Sequence, residues 1–203
     1  MTGSTYLADL GLLSGPTPTK AGEILYRILP DRSSLHPVAS TALAELWNAA
    51  GSHLVPGQQS TRGELFELIV AVCLAESGLL PFYYQAKLAL IPETDYGFVL
   101  WSESGPVVLS VKTSLRERIK QAALEAVALK MVHRRARCFV LTLDHAEADN
   151  AQRKVQSGDL PALSAVIKAD TSEFDALLAD LRGVSLRHAP TMPMITHSRS
   201  VVG

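Results

Sequence analysis

Asp95, Ser110 and Lys112 have the types and spacing to do chemistry together. Asp95 precedes an apolar run, Tyr96-Gly97-Phe98-Val99-Leu100-Trp101. Lys112 closes a second run, Val107-Val108-Leu109-Ser110-Val111-Lys112, and a Ser102-Glu103-Ser104-Gly105 turn lies between the two. Two such runs around a Gly-containing turn predict a β-hairpin with a carboxylate at its start and an ammonium at its end. Ser110 shares a sheet face with Lys112, because strand side chains alternate. A carboxylate can hold a hard cation, and a lysine beside it can orient or deprotonate water. Blander roles compete: Asp before a strand is commonly a turn residue, and a terminal Lys an edge charge. Serine acyl-enzymes use Ser-x-x-Lys on a helix, a different spacing from the two-residue step here.

The elements that must position these groups follow from periodicity. In Leu115 to Ala126, residues 115, 119, 122 and 126 fall on one helical face, and the remaining surface is charged. From Lys112 to Arg137 eight Lys or Arg face two Glu, a local balance of +6 in a chain of net charge -1. The net charge argues against a generic nucleic-acid binder. A basic strip suits phosphate contacts, with a solvated helix face as the competing reading. Upstream, Thr61-Arg62-Gly63-Glu64 has capping-box spacing and predicts a helix to Ser77, with Glu64 spent on the cap. Glu67 is the charged exception within its apolar run, Leu65 to Leu74. A buried carboxylate costs several kcal/mol, on the order of an unpaired interior charge, unless an Arg or a metal neutralises it.

Phe82 to Ile91 predicts a strand with Tyr84, Ala86, Leu88 and Leu90 on one face, and Cys138 to Leu143 a buried strand. Helices are predicted over Val38–Ala50, Asp144–Gln156 and Ser172–Arg182, and a strand over Ser164–Lys168. Residues 1–37 and the tail from Gly183 receive no role. The order helix, three strands, helix, strand implies an α/β architecture, a small mixed sheet flanked by helices (αβββαβ).

Asp95, Ser110-Val111-Lys112, Arg116-Glu117-Arg118 and Glu125 resemble the active site of the PD-(D/E)XK nucleases, in the S-x-K variant of type II restriction endonucleases. The resemblance is to the branch that cuts CCGG-type sites. There Ser replaces the second motif carboxylate, a Glu from the next helix takes its place, and an R-x-(D/E)-R element reads G·C pairs. Here that element is one residue shorter, and Glu125 follows Lys112 by 13 residues rather than about 14, offsets that one deletion explains. Thr94 stands where the family name has Pro. The resemblance covers Thr61 to Glu125 and matches the restriction-endonuclease-like order read from periodicity.

The resemblance implies Mg²⁺-dependent, sequence-specific hydrolysis of double-stranded DNA at a short G·C-rich site. Asp95 with Glu125 or Glu67 would hold the metal, Lys112 would handle the attacking water, and Ser110 could bond a metal-bound water. Arg116, Glu117, Arg118 and Lys120 would face bases and backbone. Arg134, Arg135 and Arg137 would hold phosphates. A palindromic site calls for a homodimer, and a cognate DNA methyltransferase is expected in the same system. The alternatives are a repair or mobile-element nuclease on the same core and a DNA-binding module with a decayed site.

A chain of 203 residues suits one domain, residues 1–203, with the core at about 61–143 and residues 1–60 and 144–203 peripheral. No apolar run approaches a membrane span and no signal peptide is evident, so the expected compartment is cytoplasmic. Cys73 and Cys138 suit reduced core thiols, and the six His lack zinc-ligand spacing.

Overall fold

The computed structural model describes residues 8, 10–11, 19–29, 31–88, 91–116, 118–190, 195–196 and 199–202. Helices α1 (Lys20–Ile28), α2 (Ala39–Gly51) and α3 (Gln59–Glu76) precede strands β1 (Phe82–Leu88), β2 (Ile91–Ser102) and β3 (Gly105–Lys112). After them come α4 (Arg118–Val132), β4 (Arg137–Thr142), α5 (His145–Ser157), β5 (Ala165–Lys168), α6 (Ser172–Arg182), β6 (Ile195–Thr196) and β7 (Arg199–Val201). The strands form one mixed sheet in the order β5-β4-β3-β2-β1-β6, with β7 also on β1. The first three strands pair antiparallel. β3, β4 and β5 are parallel, which requires a crossover between each pair. α4 and α5 supply those crossovers. The segment from α3 to β4 is the αβββαβ core that periodicity predicts.

Each sheet face carries its own apolar layer. Leu25 of α1, Leu43 of α2, Phe66 of α3, Leu109 of β3 and Phe174 of α6 belong to one cluster. Leu115, Ile119 and Ala122 pack with Val99, Val140 and Ala148 in the other. Burying each large apolar side chain contributes about 1.5–3 kcal/mol. The periodic residues fall where expected: Leu115, Ile119, Ala122 and Ala126 are buried, as are Phe174, Leu177, Leu178 and Leu181. Both cysteines are free and buried. Burial pushes the Cys73 thiol up to about 12 and that of Cys138 to about 11, so neither is a thiolate near neutrality.

Several expectations are corrected. α3 starts at Gln59 with Gln58 as its cap residue and no side-chain cap bond, so Thr61-Arg62-Gly63-Glu64 lies inside the helix and Glu64 is no cap. Leu25, Phe174 and Val201, from outside the α3-to-β4 segment, share one core with Phe66. Asp175 of α6 reaches back to the start of α2, where Val38 offers no capping side chain. Its carboxylate accepts from the Ser40 N–H at 3.0 Å and hydroxyl at 2.5 Å, satisfying an otherwise orphaned helix donor. The tail, read without periodicity, adds β6 and β7 to the edge of β1. Among the described residues no helix is long and apolar enough to cross a membrane.

Candidate active site

A cleft opens where β2 and β3 part. The two strands pair from their turn as far as Phe98↔Leu109. Beyond that point β3 stays with β4 through Lys112↔Thr142, and β2 stays with β1 through Lys87↔Asp95. The divergence leaves a space of about 610 Å³, with Asp95, Tyr96 and Gly97 on one lip and Lys112 on the other. Glu67 from α3, Tyr84 and Gln85 from β1 and Gln121 from α4 complete the lining. Asp95 lies within β2 rather than ahead of it.

The strand phase inverts at this place. Along β1, Phe82 and Tyr84 belong to the α3-side core and Tyr83 to the α4-side core, as alternation requires. Past Gln85 the order reverses: Ala86 and Leu88 belong to the α4 side. Tyr84 is therefore not on the face of Ala86 and Leu88, as simple alternation predicts, and Leu90 lies outside the described residues. β2 repeats the reversal, with Phe98 and Leu100 toward α3 but Tyr96 toward α4. Gln85 has φ 50°, a left-handed conformation that non-glycine residues rarely adopt, and this turns the strand by one phase. Gly97 faces it in register, between the pairs Tyr84↔Phe98 and Ala86↔Tyr96. Tyr96 turns toward α4, and the charge of its neighbour Asp95 acts on Glu125 of that helix.

Burial dominates the electrostatics of Glu67 and raises its pKa. Hydrogen bonds from Gln85 and Tyr84 and the charge of Lys112 oppose that shift, and Glu64 adds to it. The Tyr84 hydroxyl donates to Glu67 Oε2 at 3.1 Å and Gln85 Nε2 donates to the same oxygen at 3.3 Å. Glu125 is also raised by burial, opposed by Lys112 and by the Gln121 amide, which donates to its Oε1 at 2.8 Å. The charge of Asp95 pushes it further up. Lys112 thus interacts with a carboxylate on each side of the sheet. Asp95 is 64% exposed at its side chain, with Lys87 Nζ 3.5 Å from its Oδ1.

The remaining predicted residues are dispersed. Ser110 is buried and, with Glu125, lines a separate cavity of about 10 Å³ under α4 rather than the cleft. Among the described residues no group of three Asp, Glu, His or Cys could hold a metal ion, so Asp95, Glu125 and Glu67 do not form one cluster. The reason is topological: Glu125 rises from α4 on one sheet face and Glu67 from α3 on the other. The pair that shares the cleft, Asp95 and Glu67, fits Mg²⁺ by its chemistry, since that ion needs only one or two carboxylates and keeps several waters. Among the described residues the lining contains no His or Cys that would favour a softer metal. Arg116, Arg118 and Lys120 are exposed at the start of α4, near the Lys112 end of β3. Glu117 lies outside the described residues. Arg134 and Arg135 are exposed at the opposite end, where Arg135 packs against Gly105. The length of β3, roughly 23 Å at the usual strand rise, separates them from Lys112. Arg137 pairs with Asp180 of α6. Sequence reading missed Tyr84, Gln85, Gly97 and Gln121, which carry no motif.

The sheet order, the crossovers and the split hairpin define a restriction-endonuclease-like fold. Among solved structures, the chain is similar to a restriction endonuclease, PspGI, in complex with its substrate DNA, with a TM-score of 0.52 and 15% sequence identity. The match covers 93% of this chain and 81% of that one. No protein-family profile matches the chain, and comparison with curated proteins finds no match.

Proposed function

We propose that this chain is a type II restriction endonuclease, hydrolysing phosphodiester bonds of double-stranded DNA at a short G·C-rich site with Mg²⁺. The observation that carries the reading is the split between β2 and β3, which sets Asp95 and Lys112 across one open cleft beside Glu67. The PspGI–DNA complex of similar fold supports it. Asp95 and Glu67 would hold the cation. When bound, Mg²⁺ supplies charge neutralisation at the scissile phosphate and lowers the pKa of a bound water. Lys112 faces both carboxylate sides, orients the attacking water and screens charge that develops on phosphorus.

Arg116 and Arg118, with Glu117, would read base edges in the major groove. Each good bidentate pair discriminates by about 1–3 kcal/mol. Lys120 would hold backbone near the cleft. Arg134 and Arg135, about 23 Å away by strand rise, would reach phosphates on the same duplex about two-thirds of a turn along. A palindromic site would be cut by a cytoplasmic homodimer of this single domain, with a cognate methyltransferase protecting the host. The test is incubation of the purified protein with plasmid and phage DNA, with Mg²⁺ or EDTA, beside Lys112→Ala. Discrete Mg²⁺-dependent fragments that vanish in the variant are expected. Smears instead of bands would favour a repair-type nuclease. Intact DNA with salt-sensitive binding would make the chain a binding module.

A further inference from the structure

Gln85 combines two unusual properties. It is a non-glycine residue in the left-handed region inside a strand, and its side chain is aimed at a carboxylate of the cleft. Strained backbone persists where the surrounding structure over-determines it, and such sites gather where function needs a particular geometry. The carboxamide nitrogen lies 3.3 Å from Glu67 Oε2 and 3.1 Å from the Tyr84 hydroxyl, which itself donates to Oε2. Both hydrogen bonds to Glu67 therefore fall on one oxygen. The other, Oε1, lies 3.8 Å from where a Cβ would sit on Gly97, so the missing side chain leaves that oxygen a path toward β2.

From these features we infer that Gln85, assisted by Tyr84, is the positioning residue of the cleft. Its left-handed backbone sets the phase of the strand at the cleft, and its carboxamide anchors Glu67 so that Oε1 faces the cation position. This rests on the reading of the cleft as a divalent-cation site. The two halves separate by substitution. Gln85→Gly keeps the left-handed backbone and deletes the anchor. Gln85→Val opposes that backbone and would restore simple alternation. Gln85→Asn tolerates the conformation and keeps a shorter carboxamide. Tyr84→Phe removes one donor and leaves the strand phase alone.

The experiment measures Mn²⁺ binding to the DNA-free protein by electron paramagnetic resonance, alongside thermal unfolding and plasmid cleavage. Gln85→Gly is expected to unfold no earlier than wild type, yet to bind Mn²⁺ roughly tenfold more weakly and cleave roughly tenfold more slowly, in keeping with one lost charge-assisted hydrogen bond. Tyr84→Phe should lose binding in the same direction. Gln85→Asn should fall between Gln85→Gly and wild type, and Gln85→Val should bind no Mn²⁺. A purely structural role predicts loss of thermal stability with unchanged Mn²⁺ affinity. The proposal is overturned if Gln85→Gly and Tyr84→Phe both bind within twofold of wild type, or if wild type binds no Mn²⁺. Wild type that binds Mn²⁺ in the expected variant order but cuts no DNA would sink the nuclease reading and leave the positioning role standing.

Discussion

Alanine at Gly97 would probe the split in the sheet directly. Its Cβ would lie 3.0 Å from the Leu109 carbonyl oxygen and 3.7 Å from the Val111 nitrogen. Both atoms are backbone of β3, which is fixed on its other side by the Leu109↔Phe139 and Val111↔Leu141 pairs with β4. The strands must therefore part by a few tenths of an ångström. Overpacking of this kind costs about 1–3 kcal/mol. Loss of glycine's freedom in the unfolded chain returns about 0.4–1 kcal/mol at a backbone that alanine can adopt. The net loss of about 0.5–2 kcal/mol lowers Tm by about 1–8 °C in a chain of this size. The larger effect falls on chemistry, because β2 carries Asp95 two residues away. A misplacement approaching 1 Å costs on the order of 100-fold in rate, so cleavage should slow by roughly ten- to 100-fold. Calorimetry and a cleavage time course on the same preparation measure both. Wild-type Tm and wild-type rate together would falsify the claim that the close approach of β2 to β3 sets the cleft.

Other substitutions address other parts of the site. Glu67→Gln should raise Tm at pH 8 and leave it near wild type at pH 4. Burial lifts the folded pKa above the ordinary 4.5, so the native state gains nothing by ionising Glu67 and loses stability as pH rises through the lifted value. The same variant should lose Mg²⁺-dependent cleavage, and equal Tm curves at both pH values would refute the burial argument. Lys112→Ala should slow cleavage by roughly 10²–10⁴-fold while the protein still binds DNA, measured by single-turnover cutting and gel shift. Replacing Arg116 and Arg118 by Ala should reduce the salt slope of DNA binding by about 2 if both meet phosphates. If they read bases, the slope should hold and discrimination against a mismatched site should fall. Arg137→Ala should cost at most about 1 kcal/mol, because its pair with Asp180 is largely solvated.

Local patterns foretold the helices that bury one stripe. The spacing of Ile119, Ala122 and Ala126 fixed the inner face of α4, with buried Leu115 just ahead of the helix, and Phe174 to Leu181 fixed that of α6. The proximity of Asp95 and Lys112 was legible because a hairpin is a local structure. Long-range features were not. β6 and β7 are short segments whose reason for being extended is the free edge of β1, which no local pattern encodes. The start of α3 was misplaced because a capping-box spacing inside a helix looks the same as one at its end. Arg134 and Arg135 follow the basic helix closely in sequence, yet the length of α4 carries them to the far end of β3. Glutamine carries no signal for a left-handed backbone, so the inversion at Gln85 was invisible.

That inversion also governs how the first hairpin can assemble. In an ordinary antiparallel pair, sliding one strand by two residues restores every side chain to its original face, so only contacts oppose the slip. Here both strands exchange faces where Gln85 meets Gly97, and a further register shift follows between Lys87 and Leu88. A slip in either direction leaves a stretch in which one strand has exchanged faces and its partner has not. Apolar residues such as Ala86 or Phe98 would then oppose residues of the wrong layer. The pair acts as a registration mark that admits one alignment of β1 and β2.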